Sequence, residues 1–176
     1  RRWGSGSSAA LVLGLLVSLG AGGFIFYNTN VLNEYRTPKA GEKRQLAYEQ
    51  QYRRFRTVPQ PRITAVDLNT ELFPGTRAVR FRGQFTLVNK QARALDTVIV
   101  SLPVEQHPRV RALALGAPGQ ASLALNDSTF GFRLYRLARP LAPGDSLALT
   151  MDLSYQERGF PNAGSNTDLV YNGTFV

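Results

Sequence analysis

The sequence predicts a mainly β protein: one N-terminal transmembrane helix, a short linker helix, then an antiparallel β-domain. Three observations carry this. Residues 9–27, AALVLGLLVSLGAGGFIFY, run nineteen positions without a charge. Between Glu42 and Arg56, the aromatic residues Tyr48, Tyr52 and Phe55 recur at i, i+4 and i+7 among basic residues. From Ile63 the apolar period drops to two, in about seven short runs separated by turn residues.

At about 1.5 Å rise per residue, a nineteen-residue helix covers roughly the 30 Å hydrocarbon core of a bilayer. Arg1 and Arg2 before an apolar run also resemble the start of a signal peptide, with Ala21-Gly22-Gly23 as a small-residue cleavage site. The apolar run resumes as Phe24-Ile25-Phe26-Tyr27, which favours an uncleaved span. Trp3-Gly4-Ser5-Gly6 gives little support to a twin-arginine signal. Trp3 and Tyr27 flank the span where amphipathic rings favour the headgroup region. Ala10, Gly14, Ser18 and Gly22 recur every four residues and form one row of small side chains, a face on which another membrane helix can pack closely.

The formal charge of +9 is unevenly placed. Residues 1–33 contribute +2, residues 34–62 contribute +5, and residues 63–176 only +2. The excess sits beside the span, which suits lipid headgroups or an acidic partner surface. A nearly neutral folded part without a recognisable binding motif argues against nucleic acid. The positive-inside count is close to a tie, and long domains translocate largely regardless of charge; the C-terminal domain is expected outside the cytoplasm.

Thr37-Pro38 has the form of a helix start, a capping hydroxyl followed by proline at the first helical position. The helix is expected from about Glu42 to Arg56, with Gly41 leaving its start open. Its aromatic stripe either packs on the following domain or lies on the membrane surface. In the second placement Tyr48, Tyr52, Phe55, Arg53 and Arg54 join Trp3 and Tyr27 as membrane-interface residues. Val58-Pro59-Gln60-Pro61 is a stiff break. The organisation is therefore an anchor at 1–28, a basic juxtamembrane linker at 29–61 and an antiparallel β-domain at 62–176.

Within that domain, Val66, Leu68, Thr70 and Leu72 alternate with polar residues, as do Val79, Phe81, Gly83, Phe85 and Leu87 after the Pro74-Gly75 turn. The two runs read as a hairpin with one buried face. Further runs at 97–102, 110–115, 121–125, 130–137 and 146–155 complete a sandwich or a strongly twisted sheet. Residues 169–176 read as the start of another strand pair, which would leave an exposed edge there.

Catalytic chemistry is hard to find. The chain has no cysteine and a single histidine, His107, so neither a thiolate site nor an HExxH zinc helix can be built. No metal or other cofactor is expected. Asp127, Asp145, Asp152 and Asp168 are separated by strands and suit turns or solvent. Asn126-Asp127-Ser128 and Asn172-Gly173-Thr174 match a glycosylation pattern too short to carry weight.

Six stretches together resemble one bacterial membrane protein family: Asn33-Glu34-Tyr35-Arg36-Thr37-Pro38, the basic-aromatic helix, Pro59-Gln60-Pro61-Arg62-Ile63, Leu72-Phe73-Pro74, Leu141-Ala142-Pro143-Gly144-Asp145 and Tyr171-Asn172-Gly173-Thr174-Phe175. In that family a permease-like helix bundle is followed by a zinc aminopeptidase of the gluzincin type. The resemblance covers the last permease helix, the connecting helix and the front of the peptidase's N-terminal domain. It implies a saddle-like, mostly antiparallel β-domain and a location in the bacterial inner membrane with the domain in the periplasm. The family's zinc-binding and substrate-amine-binding residues lie later in its chain, so no catalytic residue transfers to this sequence. Taken as a whole polypeptide, the chain resembles a peptidase that kept its anchor and β-scaffold without its chemistry. The expectation is a non-catalytic accessory subunit of a membrane complex, whether transport, respiratory or photosynthetic. The alternative is the N-terminal fragment of a membrane-bound zinc aminopeptidase.

Overall fold

A computed structural model of the protein describes residues 5–104, 107–162, 169–170 and 173–174. The protein is mainly β, with an apolar N-terminal helix and a second, shorter helix. It divides into two compact units, residues 1–41 with 158–166, and residues 42–157 with 167–176.

The first unit is built on helix α1, Ser5–Phe26, which continues as a π-helical turn, Tyr27–Val31. Ser8–Val31 has a mean hydropathy of 2.2 and is long and apolar enough to cross a membrane. The polar exit that follows is self-satisfied. Asn28 Nδ2, Thr29 Oγ1 and Asn30 Nδ2 donate to the carbonyls of Phe24, Ile25 and Phe26 at 2.8, 2.9 and 3.2 Å. These side chains supply partners to carbonyls near a helix end, which otherwise need water or a cap. Asn33 Nδ2 donates to the carbonyl of Arg158 at 2.8 Å. Arg36 and Asn162 exchange a reciprocal pair of bonds, at 3.1 and 2.9 Å. These contacts place residues 158–162 with the exit segment, although the two are far apart in sequence.

Helix α2, Pro38–Tyr52, starts at the Thr37-Pro38 cap rather than at the expected Glu42 and ends before the expected Arg56, with Thr37 Oγ1 accepting from the Ala40 amide at 3.2 Å. A 3-10 turn, Arg53–Phe55, extends it.

The second unit is a sandwich of two antiparallel sheets. The strands are β1 Arg62–Phe73, β2 Ala78–Val88, β3 Leu95–Ser101, β4 Arg109–Leu115, β5 Ala121–Asp127, β6 Phe132–Leu141 and β7 Ser146–Gln156. One sheet has the order β1-β2-β7-β4 and the other β3-β6-β5. A separate two-residue pair, β8 Leu169–Val170 and β9 Gly173–Thr174, follows. The hairpin turn is Pro74–Thr76, closed by Arg77 in the left-handed region at φ 47°.

The core lies between the sheets. Leu87, Leu115, Leu149 and Leu153 of the first meet Leu95, Val98, Val100, Tyr135, Leu137 and Leu141 of the second. Each such side chain contributes about 1.5–3 kcal/mol by leaving water. Register explains which residues face inward. Phe81, Gly83, Phe85 and Leu87 on β2 stand opposite Leu153, Met151, Leu149 and Leu147 on β7. On β4, Val110 and Leu113 differ by an odd number of positions, yet both pack on the core. A bulge between Val110 and Ala112 makes this possible by resetting the alternation. Asn89 closes the end of the sandwich, 1% exposed with every polar group engaged. Its Nδ2 donates to the carbonyls of Arg93 and Leu141, both at 2.8 Å, and its Oδ1 accepts from the Gln91 amide.

One expectation needs correction. The β1–β2 hairpin does not bury one continuous face: β2 reaches the core, while Ile63, Val66, Leu68 and Leu72 on β1 stay exposed because the three-stranded sheet does not extend over the edge strand. The side chains of residues 169–176 lie outside the described residues. Residues from Glu42 onward cluster with the β strands in the second unit.

Candidate docking surfaces

The aromatic stripe of α2 is packed on the outer face of the three-stranded sheet. Tyr52 stacks on Phe132 with ring centroids 4.0 Å apart and a 20° interplanar angle. Phe55 reaches Phe132 at 5.2 Å, and Tyr48 and Tyr52 reach Phe130 at 5.7 and 6.0 Å. Tyr52 is 5% exposed and Phe132 3%. This corrects the membrane-surface placement of Tyr48, Tyr52 and Phe55: the alternation of β6 turns Phe132 away from the inter-sheet core, and the aromatic stripe covers it. Arg53 and Arg54 remain exposed, and the Arg54 guanidinium lies over the Phe55 ring at 4.7 Å. Arg44 is drawn into the same cluster, 5.1 Å from the Phe130 ring centroid and bonded to the Thr129 carbonyl.

One polar contact anchors the stripe. The Tyr52 hydroxyl donates to Asp127 Oδ2, which also accepts from Gln51 Nε2 at 3.1 Å. The other oxygen accepts from the amides of Thr129 and Phe130 at 2.8 and 3.3 Å. Burial, with the bond to Asp127, pushes the Tyr52 hydroxyl up from its ordinary 10 to about 12. The Tyr52 bond and the two amides hold the Asp127 carboxyl below its usual range. Of the turn or solvent roles the sequence suggests for Asp127, the turn is half of what it does; Phe130 and Phe132, the partners of the stripe, carry no signal in the sequence.

Beside α2 an open groove of about 870 Å³ runs along the sheet, with Ile99 and Phe132 in its floor and Leu46, Phe55, Arg53 and Arg56 along the helix side.

The second surface is β1. Among the described residues it pairs on one side only, with β2. A bulge between Ile63 and Ala65 brings Ile63 onto the face shared by Val66, Leu68 and Leu72. Ile63 and Val66 are 57% and 55% exposed, and Phe73 at the end of the strand is 49% exposed. The strand is held close to β2 at Gly83. A Cβ there would meet the Asp67 carbonyl oxygen and lie 2.8 Å from Leu68 Cα. The opposite face of this sheet is charged and internally paired. Arg80 Nε and Nη2 bind Asp152 at 2.9 and 2.6 Å, and Arg82 pairs with Glu71. The Arg80 bonds hold the Asp152 carboxyl low.

The third is the small-residue row on α1. Ala10, Gly14, Ser18 and Gly22 are exposed, and a Cβ at Gly14 or Gly22 would meet no atom within 4 Å. Tyr27 is exposed at the start of the π-helical turn. Trp3 lies outside the described residues. His107 is exposed in the left-handed region. Among the described residues no three His, Asp or Glu side chains converge on a potential metal position.

No family model matches this chain, and no curated protein matches it.

Proposed function

We propose that this chain is a membrane-anchored, non-catalytic accessory subunit. It docks on and stabilises a larger integral membrane protein complex through its helix and β-domain. The observation that carries the reading is β1: a long edge strand with an unpaired backbone side and an apolar face open to solvent. Native proteins ordinarily cover or charge such edges, and contiguous exposed apolar surface marks interaction sites. The small-residue row on α1 supplies a second contact, inside the lipid. The setting that fits is the bacterial inner membrane, with the β-domain in the periplasm and lipid headgroups around the basic linker. The partner would be a transport, respiratory or photosynthetic assembly.

Purification of the tagged chain from native membranes in mild detergent tests this. The partner complex is expected to co-purify, and Val66→Asp with Leu72→Asp is expected to abolish that without unfolding the β-domain. Undiminished recovery of the complex with that variant would contradict docking through β1. The uncovered strand also favours the second reading, the N-terminal fragment of a zinc aminopeptidase fused to a permease, in which a further domain would cover β1. Zinc and aminopeptidase activity in the native full-length product would select it.

A further inference from the structure

We infer that the groove beside α2 binds one anionic membrane phospholipid, its phosphate held by Arg53 and Arg56 and its glycerol and upper acyl chains laid on Leu46, Phe55 and Ile99. The inference deepens the accessory-subunit reading and rests on α1 being its membrane anchor.

Charge is the first argument. Arg53 and Arg56 stand three positions apart beyond the end of α2 and line the same groove. Neither makes an ion pair among the described residues, whereas Arg77, Arg80 and Arg82 each hold a carboxylate. Glu49, the acidic residue in the lining, receives the Gln45 amide at 2.7 Å. One carboxylate against two guanidinium groups leaves the groove cationic. Planar guanidinium forks match phosphate oxygens, and paired forks fix orientation as well as charge.

Shape and polarity are the second argument. The accessible apolar lining is Leu46, Phe55 and Ile99, which a small inorganic anion would leave facing water. A ligand with an anionic head and an apolar body satisfies both parts. A volume of about 870 Å³ is within the range of small-molecule sites, roughly 300–1,000 Å³. Position in the chain is the third argument. The residues from Glu42 to Arg62 carry six Lys/Arg against two Glu and follow an apolar helix long enough to span a bilayer. Such juxtamembrane basic segments attract anionic lipids.

The test is native mass spectrometry of the full chain in detergent, with phosphatidylglycerol and phosphatidylcholine added at equal concentration. One retained phosphatidylglycerol is expected. Its retention should fall roughly tenfold in Arg53→Gln/Arg56→Gln and stay unchanged in Arg93→Gln/Arg139→Gln, which removes the same charge from exposed positions elsewhere on the β-domain. Equal retention of the two lipids, or an equal loss in both variants, would overturn the proposal. Displacement by glycerol phosphate alone would show a simple anion site and overturn the lipid assignment. Circular dichroism melts of both variants keep loss of binding separate from loss of fold. Alkaline carbonate extraction separates the two layers of the argument. A chain washed off the membrane sinks the anchor, whereas an anchored chain that retains no phosphatidylglycerol sinks the groove alone.

Discussion

The Tyr52 hydroxyl donates its proton to Asp127 Oδ2, joining the last turn of α2 to the end of β5 across 75 residues of sequence. The same ring stacks on Phe132, so a single side chain supplies both the polar and the apolar part of the junction. The helix that follows the membrane-spanning candidate is thereby a fixed part of the β unit.

Removing only the hydroxyl separates the two contributions. Tyr52→Phe is expected to cost about 1.5–3 kcal/mol, the range for hydrogen bonds to charged groups. Tyr52→Ala also loses the stacked ring and is expected to cost about 3–5 kcal/mol. Urea unfolding followed by circular dichroism checks both. Equal costs for the two variants would mean that the ring contributes nothing.

The junction should also respond to pH at both ends of the scale. Tyr52 has a raised folded-state value, so its contribution is fully present below pH 10 and is lost as pH climbs towards about 12. Asp127 and Asp152 have lowered values, so theirs are present above the ordinary carboxylate range and are lost as pH falls below it. Melting temperature against pH should therefore decline on both flanks. Tyr52→Phe should flatten the alkaline decline and leave the Arg80–Asp152 part of the acid decline intact.

Asn89 is the most demanding position in the β unit. Asn89→Ala leaves the buried Leu141 carbonyl without its donor and the Gln91 amide without its acceptor. Unsatisfied buried groups cost about 1–3 kcal/mol each. Asn89→Asp keeps the acceptor but turns a buried carboxylate oxygen towards the carbonyls of Arg93 and Leu141, so at neutral pH it should cost more than alanine. Chemical denaturation ranks the three, and an alanine variant as stable as wild type would contradict the buried network.

Much of this fold is legible in the sequence because its strands obey their period. Alternation places β2, β4 and β7 within a residue or two, and Pro74-Gly75 marks the hairpin turn. The Thr37-Pro38 cap of α2 is visible, but Gly41 moves the expected start to about Glu42, past the true one. The bulges at Thr64 and Arg111 are not legible, since they insert one residue into runs that still read as alternating. The exposure of β1 is also hidden: alternation shows that Val66, Leu68 and Leu72 share a face, but coverage of that face depends on the width of the opposing sheet. The stripe Tyr48, Tyr52 and Phe55 is visible at helical spacing, whereas its partners Phe130 and Phe132 become visible only once β6 is known to turn Phe132 outward. Asn89 looks like an ordinary loop residue because its bonds run to backbone on two different connections.

The row on α1 makes a separate prediction inside the lipid. Gly14→Leu with Ser18→Leu fills the close-approach face and should weaken helix association, by about 1 kcal/mol or more if the row is packed on a partner. A membrane two-hybrid readout, or co-purification at increasing detergent, measures it. Unchanged association would remove the helix-packing role and leave β1 as the docking element.

The central claim is that β1 is covered by another membrane protein, and site-specific photo-crosslinking in native membranes tests it most directly. A benzophenone side chain placed at Val66 or Leu72 should give a discrete adduct with one integral membrane protein. The same group at Thr150, exposed on the central strand β7, should give none. Adducts of equal yield from all three positions, or none from Val66 and Leu72, would contradict the account.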